Sequence, residues 1–225
     1  MKTKQNLIIA LDKISVDKAL EIAGQLSGKV WGFKVNDLLV KEGPSIIKKL
    51  KTHGRVFADP KFHDIPNTVA NSVSVLESAG ADLITVHASG GPSMLEAAVK
   101  GCGQSKILAV TVLTSLSPEE CHSVYLKKPD LLVPDFVKLA RDSGVAGCVC
   151  SPMEIESVRS LVPEDFIVLT PGIRPSWYQK TDDQSRTSTP SAALEAGSNF
   201  LVVGRPVCED SDPLAAVKKI EAELS

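Results

Sequence analysis

Short apolar runs alternate with helical patterns eight times along this sequence of 225 residues. Each run has the length and composition of a buried strand, and apolar residues recur at helical spacing in the stretch that follows. We predict strands over residues 6–12, 30–36, 55–62, 82–89, 106–115, 147–151, 166–173 and 200–205. We predict helices over residues 16–26, 44–52, 66–79, 92–100, 118–125, 134–143, 153–161, 190–196 and 213–224.

Eight strand-helix units without a linker predict an α/β fold, the (β/α)8 TIM barrel, with residues 1–225 forming a single domain near the lower size limit of that fold. The alternative is a doubly wound sheet. That fold typically carries a glycine-rich phosphate turn after its first strand, whereas this chain has Asp12-Lys13-Ile14-Ser15 there. The barrel is therefore favoured.

Charge and composition exclude several classes of function. The net charge is −2 and only 4% of residues are aromatic, which does not fit a nucleic-acid-binding surface. No apolar run approaches the roughly 18 residues that a membrane span requires, and the basic N-terminus precedes too short an apolar run for a signal peptide. Of the five cysteines, Cys148 and Cys150 lie in an apolar run and indicate buried thiols rather than metal ligands. We expect a cytoplasmic protein.

Polar residues follow most of the predicted strands at their carboxyl ends, where a TIM barrel carries its active site. These residues are Asp12, Lys34, Asp59, Lys61, His87, Thr114, Ser115, Pro171, Gly204 and Arg205. One shared site explains this distribution better than separate accidents at each strand.

The third strand end carries the strongest signal, the pattern Asp59-x-Lys61-x-x-Asp64. The two-residue period of a strand places Asp59 and Lys61 on one face, so that both point into the barrel. Alone, the pattern would arise by chance in roughly one chain in twenty of this size, and a surface ion pair beside a helix start is the simpler reading. His63 alternates away from Lys61 and is expected to pack, while His87 is expected behind the site.

Two regions near the end of the chain are suited to phosphate. The loop over residues 173–189 is long for a connection in this fold and rich in hydrogen-bond donors, which predicts a mobile phosphate-binding loop. Gly204 and Arg205 end the eighth strand and would hold a dianion with a backbone N–H and a guanidinium. A solvated loop and a surface arginine are the alternative.

Three further motifs follow along the chain: Thr170-Pro-Gly-Ile-Arg174, Asp183-Gln184 and Val203-Gly-Arg-Pro206. With all of these motifs in this order, the chain resembles the orotidine 5′-phosphate decarboxylase family over nearly its whole length. The resemblance is to its shorter, bacterial-type form. It implies a carboxy-lyase of pyrimidine biosynthesis that converts orotidine 5′-monophosphate to UMP, the last step of de novo UMP synthesis. It also implies a homodimer that uses neither a cofactor nor a metal ion.

The resemblance further implies a role for each matching residue. Lys61 would donate the proton, Asp59 would lie beside the carboxylate of the substrate, and Lys34 and Asp64 would complete an alternating array of charges. Asp64 would enter the site of the partner subunit together with Ile65 and Thr68. The implied substrate-binding residues are Asp12, Lys34, Ile65, Thr68, Thr114, Pro171, Gln184, Gly204 and Arg205, with Ser115 an alternative to Thr114.

Two rival functions remain at this point. Related barrels such as keto-gulonate phosphate decarboxylase and hexulose phosphate synthase share the D-x-K-x-x-D pattern but use magnesium. They typically carry an acidic residue at the end of the second strand, where this chain has Lys34, and this difference counts against a metal. A non-catalytic phosphosugar-binding barrel would use the same charges as a structural ion network.

Overall fold

Eight parallel strands close into a barrel in sequence order, each pairing with the next and β8 with β1. The computed structural model describes residues 3–178 and 187–224. The strands are β1 Leu7–Ala10, β2 Gly32–Val35, β3 Arg55–Phe62, β4 Leu83–His87, β5 Lys106–Val110, β6 Gly147–Val149, β7 Ile167–Thr170 and β8 Phe200–Val203. The predicted TIM barrel is confirmed.

A short helix precedes β1, and the helices that follow the strands pack against the outer face of the barrel. They are α1 Thr3–Asn6, α2 Val16–Leu26, α3 Asp37–Glu42, α4 Ser45–Lys51, α5 Pro66–Ser78, α6 Pro92–Gly101, α7 Pro118–Tyr125, α8 Pro129–Asp142, α9 Ile155–Arg159, α10 Pro190–Glu195, α11 Arg205–Cys208 and α12 Pro213–Glu223, with 3₁₀ turns at Ala88–Gly90 and Pro152–Glu154. Within residues 3–178 and 187–224, none of the helices is both long enough and apolar enough to cross a membrane.

The strands are buried on both faces, which explains why they are almost continuously apolar. In β1, Leu7 and Ile9 belong to the core between barrel and helices, while Ile8 and Ala10 belong to the core inside the barrel. The inner core also contains Phe57 of β3. Apolar side chains thus fill most of the barrel below its mouth, and the charged side chains of the strands lie toward the strand ends.

Helix starts carry the expected signals. The Ser15 side chain accepts a hydrogen bond from the backbone N–H of Lys18 at 3.2 Å, which caps α2 as predicted. Pro66 occupies the start of α5, where its missing N–H costs nothing. The prediction for α8 was wrong at its start, because the helix begins at Pro129 and continues through Pro134. Its apolar stripe is buried on both sides of Pro134, and this burial outweighs one lost backbone hydrogen bond.

The fifth strand is shorter than predicted. Its neighbour β6 has only three residues, and the pairing between the two ends at Val110 and Val149. Thr114 and Ser115 therefore lie in the loop beyond β5 rather than in the strand.

Candidate active site

A cavity of about 460 Å³ opens at the carboxyl ends of the strands. Its lining brings together most of the residues that the sequence placed there: Asp12, Lys34, Asp59, Lys61, Thr114, Ser115, Pro171, Gly204 and Arg205. Both candidates for the pyrimidine contact, Thr114 and Ser115, line it. The lining also contains apolar side chains, among them Phe57.

Four charged side chains form a continuous chain across the floor of this cavity. The Lys34 Nζ lies 2.5 Å from Asp12 Oδ2 and 3.3 Å from Asp59 Oδ2. The Lys61 Nζ lies 2.6 Å from the same Asp59 Oδ2. Charges therefore alternate in sign from β1 to β3, with the carboxylate of Asp59 between two ammonium groups.

Burial and neighbouring charge act in opposite directions on this cluster. Burial favours the neutral form of Asp59, but the charges of Lys34 and Lys61 outweigh it and lower the pKa of the carboxyl below its ordinary value. Burial likewise opposes the charged form of Lys34, and the carboxylates of Asp59 and Asp12 nevertheless raise the pKa of its ammonium. Both groups are therefore ionised at neutral pH, even though only 5% of Asp59 is exposed.

An irregularity in β3 aims Asp59 and Lys61 into the cavity. Between Ala58 and Phe62 the strand advances four residues while β4 advances two, from Ile84 to Val86. Lys61 has a φ of 53°, in the left-handed region that side chains rarely adopt. The expected common direction of the two side chains is thus achieved through a bulge and not through a regular two-residue period.

Two polar residues of the site were not predicted from the sequence. The Thr85 hydroxyl donates to Asp59 Oδ1 at 2.8 Å, and the Asn36 side-chain amide donates to the Asp59 carbonyl at 2.6 Å. The backbone N–H of Asn36 also donates to Asp12 Oδ1 at 3.2 Å. A signal existed for Thr85, because it lies two residues before His87 and therefore on the same face of β4.

The second half of the motif points away from the site of its own chain. Asp64, Ile65 and Thr68 are exposed, and none of them is among the described residues that line the cavity. The Asp64 carboxylate accepts a hydrogen bond from the backbone N–H of Ile65 at 2.6 Å, and 67% of Ile65 is exposed. Within this chain, the carboxylate in contact with Lys61 is that of Asp59.

The side of the cavity near β7 and β8 carries two arginines and the carboxylate of Glu209. Arg174 and Arg205 line it together with Gly204, which directly precedes α11. The two ends of the 173–189 loop meet where the backbone N–H of Arg174 donates to the Ser188 carbonyl at 2.8 Å. Gln184, predicted to bind phosphate, lies outside the described residues.

The two histidines near the motif face each other. The rings of His63 and His87 are 5.6 Å apart between centroids. Burial lowers the pKa of His87 below its ordinary value, and the charges of His63 and Lys61 lower it further. His87 is therefore neutral at pH 7 and lies behind the charged cluster.

The sequence is similar to known proteins over nearly its whole length. The model of a family described as "Orotidine 5′-phosphate decarboxylase / HUMPS family" matches residues 5–220. The orotidine 5′-phosphate decarboxylase of Cutibacterium acnes is 43% identical over 221 residues, which cover 95% of this chain and 93% of that protein. The enzyme of the same name from Trichlorobacter lovleyi is 40% identical over 236 residues, covering 99% and 96%.

Solved structures show the same fold. A crystal structure of orotidine 5′-phosphate decarboxylase from Lactobacillus acidophilus has a TM-score of 0.82 and 35% sequence identity, covering 98% of this chain and 99% of that one. An uncharacterised conserved protein from Geobacillus kaustophilus has a TM-score of 0.84 at 31% identity, covering 97% and 100%.

The charged cluster predicts a pH-dependent cost for Asp59→Asn. A carboxyl whose pKa is lowered by folding stabilises the protein at pH values above its pKa in the unfolded chain, here 3.8. This contribution is lost as the pH falls through its pKa in the folded protein. We expect Asp59→Asn to reduce the free energy of unfolding by about 3 kcal/mol at pH 7, because it leaves Lys61 without its carboxylate. The difference from wild type should shrink below pH 3.8.

Urea unfolding of both proteins between pH 7 and pH 3 measures this difference. Asp37→Asn is the control, because Asp37 forms a partly exposed ion pair with Lys41 and should cost at most about 1 kcal/mol. If the loss in free energy of unfolding caused by Asp59→Asn did not depend on pH, the ionised carboxylate of Asp59 would not be stabilised by the neighbouring lysines.

Proposed function

The chain belongs to the orotidine 5′-phosphate decarboxylase / HUMPS family, and on that premise we propose that it decarboxylates orotidine 5′-monophosphate to UMP. The bond between C6 and the carboxylate breaks, carbon dioxide leaves, and the electron pair stays on C6. Lys61 then gives a proton to C6 and regains one from water. This reaction is the last step of de novo UMP synthesis.

The observation that carries the proposal is the alternating chain of charges from Asp12 to Lys61 on the floor of the cavity. The carbanion at C6 lies in the plane of the pyrimidine ring, so the ring cannot delocalise it, and this chemistry uses no cofactor as an electron sink. An ammonium group supplies both the compensating charge and the proton. The side chain of Lys61 is 31% exposed in the open cavity and is therefore within reach of a ligand.

The carboxylate of Asp59 holds this ammonium in place at 2.6 Å. Opposite charges about 4 Å apart attract by roughly 4 kcal/mol at an effective dielectric of 20, and Lys61 and Asp59 are closer than that. The main contribution to catalysis is then stabilisation of the developing carbanion by a charge that is already oriented. Repulsion between Asp59 and the carboxylate of the substrate would add to it by destabilising the ground state.

The order of the strands supports one orientation of the nucleotide. The phosphate would bind at Gly204 and Arg205 beside β8, together with Gln184 from the 173–189 loop. The ribose would contact Asp12 and Lys34 at the ends of β1 and β2. The pyrimidine would then reach Lys61 at β3, with Thr114 or Ser115 and Pro171 as its further contacts. Binding of the remote phosphate would help to close the loop over the site.

We further propose a homodimer in which Asp64, Ile65 and Thr68 complete the site of the partner. Two observations support this: all three are exposed and outside the cavity lining of their own chain, and Ile65 is a large apolar side chain that is 67% exposed. Asp64 from the partner would give Lys61 a second carboxylate. A cytoplasmic location is consistent with a nucleotide-synthesising enzyme of this kind and belongs to the same proposal.

The magnesium-dependent sister enzymes are the nearest rival. In this chain the ammonium group of Lys34 lies between the carboxylates of Asp12 and Asp59, within 3.3 Å of each. A divalent cation that needed these two carboxylates would be repelled by it. This arrangement favours the orotidylate reaction over the metal-dependent ones.

An ultraviolet assay of the purified protein with orotidine 5′-monophosphate in excess chelator tests the function. We expect turnover in wild type and a fall in kcat of at least about 10⁴-fold in Lys61→Ala, because that variant loses both the proton donor and the positive charge. UMP binding, measured by calorimetry, should persist in the variant. The absence of turnover in wild type would reject the function, and activity only with added magnesium would favour the rival.

Hybrid dimers test the shared site. Lys61→Ala and Asp64→Asn are each expected to be inactive, whereas a hybrid of the two contains one site with both native residues. After random exchange of equal amounts, about a quarter of wild-type activity should return. Lys61→Ala mixed with the double variant Lys61→Ala/Asp64→Asn is the control and should stay inactive. Proven hybrids without activity would contradict the donation of Asp64 across subunits.

A further inference from the structure

Thr85 of β4 forms two hydrogen bonds to β3, and both involve residues of the charged cluster. Its hydroxyl donates to Asp59 Oδ1 at 2.8 Å and accepts from the backbone N–H of Lys61 at 3.0 Å. The residue is fully buried, with 0% of its surface exposed. A single hydroxyl group therefore connects the carboxylate to the backbone of the lysine that it neutralises.

The backbone of Lys61 needs such a partner. Its φ of 53° takes it out of regular strand geometry, and β3 loses its register with β4 between Ala58 and Phe62. The N–H of Lys61 therefore bonds to the Thr85 side chain instead of a β4 carbonyl. A left-handed conformation at a lysine costs free energy, and the surrounding contacts must compensate for it.

The two oxygens of Asp59 are engaged on different sides. Oδ2 faces the ammonium groups of Lys34 and Lys61, and Oδ1 faces the hydroxyl of Thr85. Thr85 thus holds one oxygen of the carboxylate, while the two ammonium groups hold the other.

We propose that Thr85 is a positioning residue for the decarboxylation, which holds the Asp59 carboxylate and the left-handed Lys61 backbone in one arrangement so that the ammonium is aimed at C6. This inference rests on the proposed function. Thr85 does not need to touch the substrate in this role. Its effect passes through Asp59 and Lys61.

Thr111 provides a matched comparison. It is also buried, with 1% exposed, and its hydroxyl donates to the Val149 carbonyl at 3.0 Å. That bond joins β6 to the end of β5 and involves none of the charged cluster. Thr→Val at either position removes a hydroxyl while keeping the shape of the side chain, so the two variants differ in whether the lost bond reaches Asp59.

Steady-state kinetics of Thr85→Val, Thr85→Ser and Thr111→Val test the proposal. A hydrogen bond to a charged group is strong, so we expect Thr85→Val to lower kcat by about 10- to 100-fold. KM should change little, because the phosphate and ribose contacts remain. Thr85→Ser keeps the hydroxyl and should recover most of the kcat, while Thr111→Val should lose stability in urea without losing kcat.

Other outcomes reject the proposal. Equal kcat in Thr85→Val and wild type, or a Thr85→Ser variant as slow as Thr85→Val, would show that the hydroxyl does not position the lysine. If Thr85→Val does not fold, Thr85→Cys takes its place, because a thiol is a weak donor of similar size; kcat in Thr85→Cys must then fall below that of Thr85→Ser.

A crystal structure of the same variant separates this inference from the proposed function. In Thr85→Val, or in Thr85→Cys, we expect Lys61 to leave the left-handed region and its Nζ to move away from Asp59. If wild type did not turn over orotidine 5′-monophosphate, the function would fall, and this structural result would still decide the role of Thr85. A Lys61 that keeps its left-handed conformation and its contact with Asp59 in the variant would overturn the proposed role of Thr85.

Discussion

The carboxylate of Asp59 between the ammonium groups of Lys34 and Lys61 is the interaction on which the site depends. A buried carboxylate or ammonium alone would take up or lose a proton. Lys34 and Asp59 nevertheless remain ionised, because each has an opposite charge beside it. The site therefore holds two ammonium groups and two carboxylates in contact with one another at the mouth of an apolar barrel.

The barrel makes this arrangement possible through its layered interior. Apolar side chains such as Ile8 and Phe57 fill the space below the mouth, so charged side chains are accommodated only at the strand ends. Because consecutive strands are neighbours in a closed parallel barrel, residues at the ends of β1, β2 and β3 meet although they are far apart in sequence. The helices, packed on the outer face, hold these ends in a fixed order. The side of the cavity near β7 and β8 then lies next to β1 for the same topological reason.

Much of this could be predicted from the sequence, because burial on both faces makes each strand an uninterrupted apolar run. The end of β3 was located correctly, and Pro66 marked the start of the following helix. The bulge at Lys61 could not be predicted, because it arises from pairing with β4 and leaves no local signal. Thr85 was overlooked for a different reason. Its position two residues before His87 indicated which face of β4 it occupies, but threonine is common in strands, and only the three-dimensional contact shows that its hydroxyl reaches Asp59 while that of Thr111 does not. The start of α8 was mislocated because a proline in a helix usually marks its first turn.

A crystal structure of the protein with UMP bound tests the central claim most directly. The account predicts the phosphate at Gly204 and Arg205, the ribose at Asp12 and Lys34, and the Lys61 Nζ within about 3.5 Å of C6 of the pyrimidine, in the geometry of proton transfer. It also predicts that the contact between Lys61 and Asp59 persists in the complex. A nucleotide bound with its pyrimidine away from Lys61, or a Lys61 that turns away from both Asp59 and C6, would contradict the account.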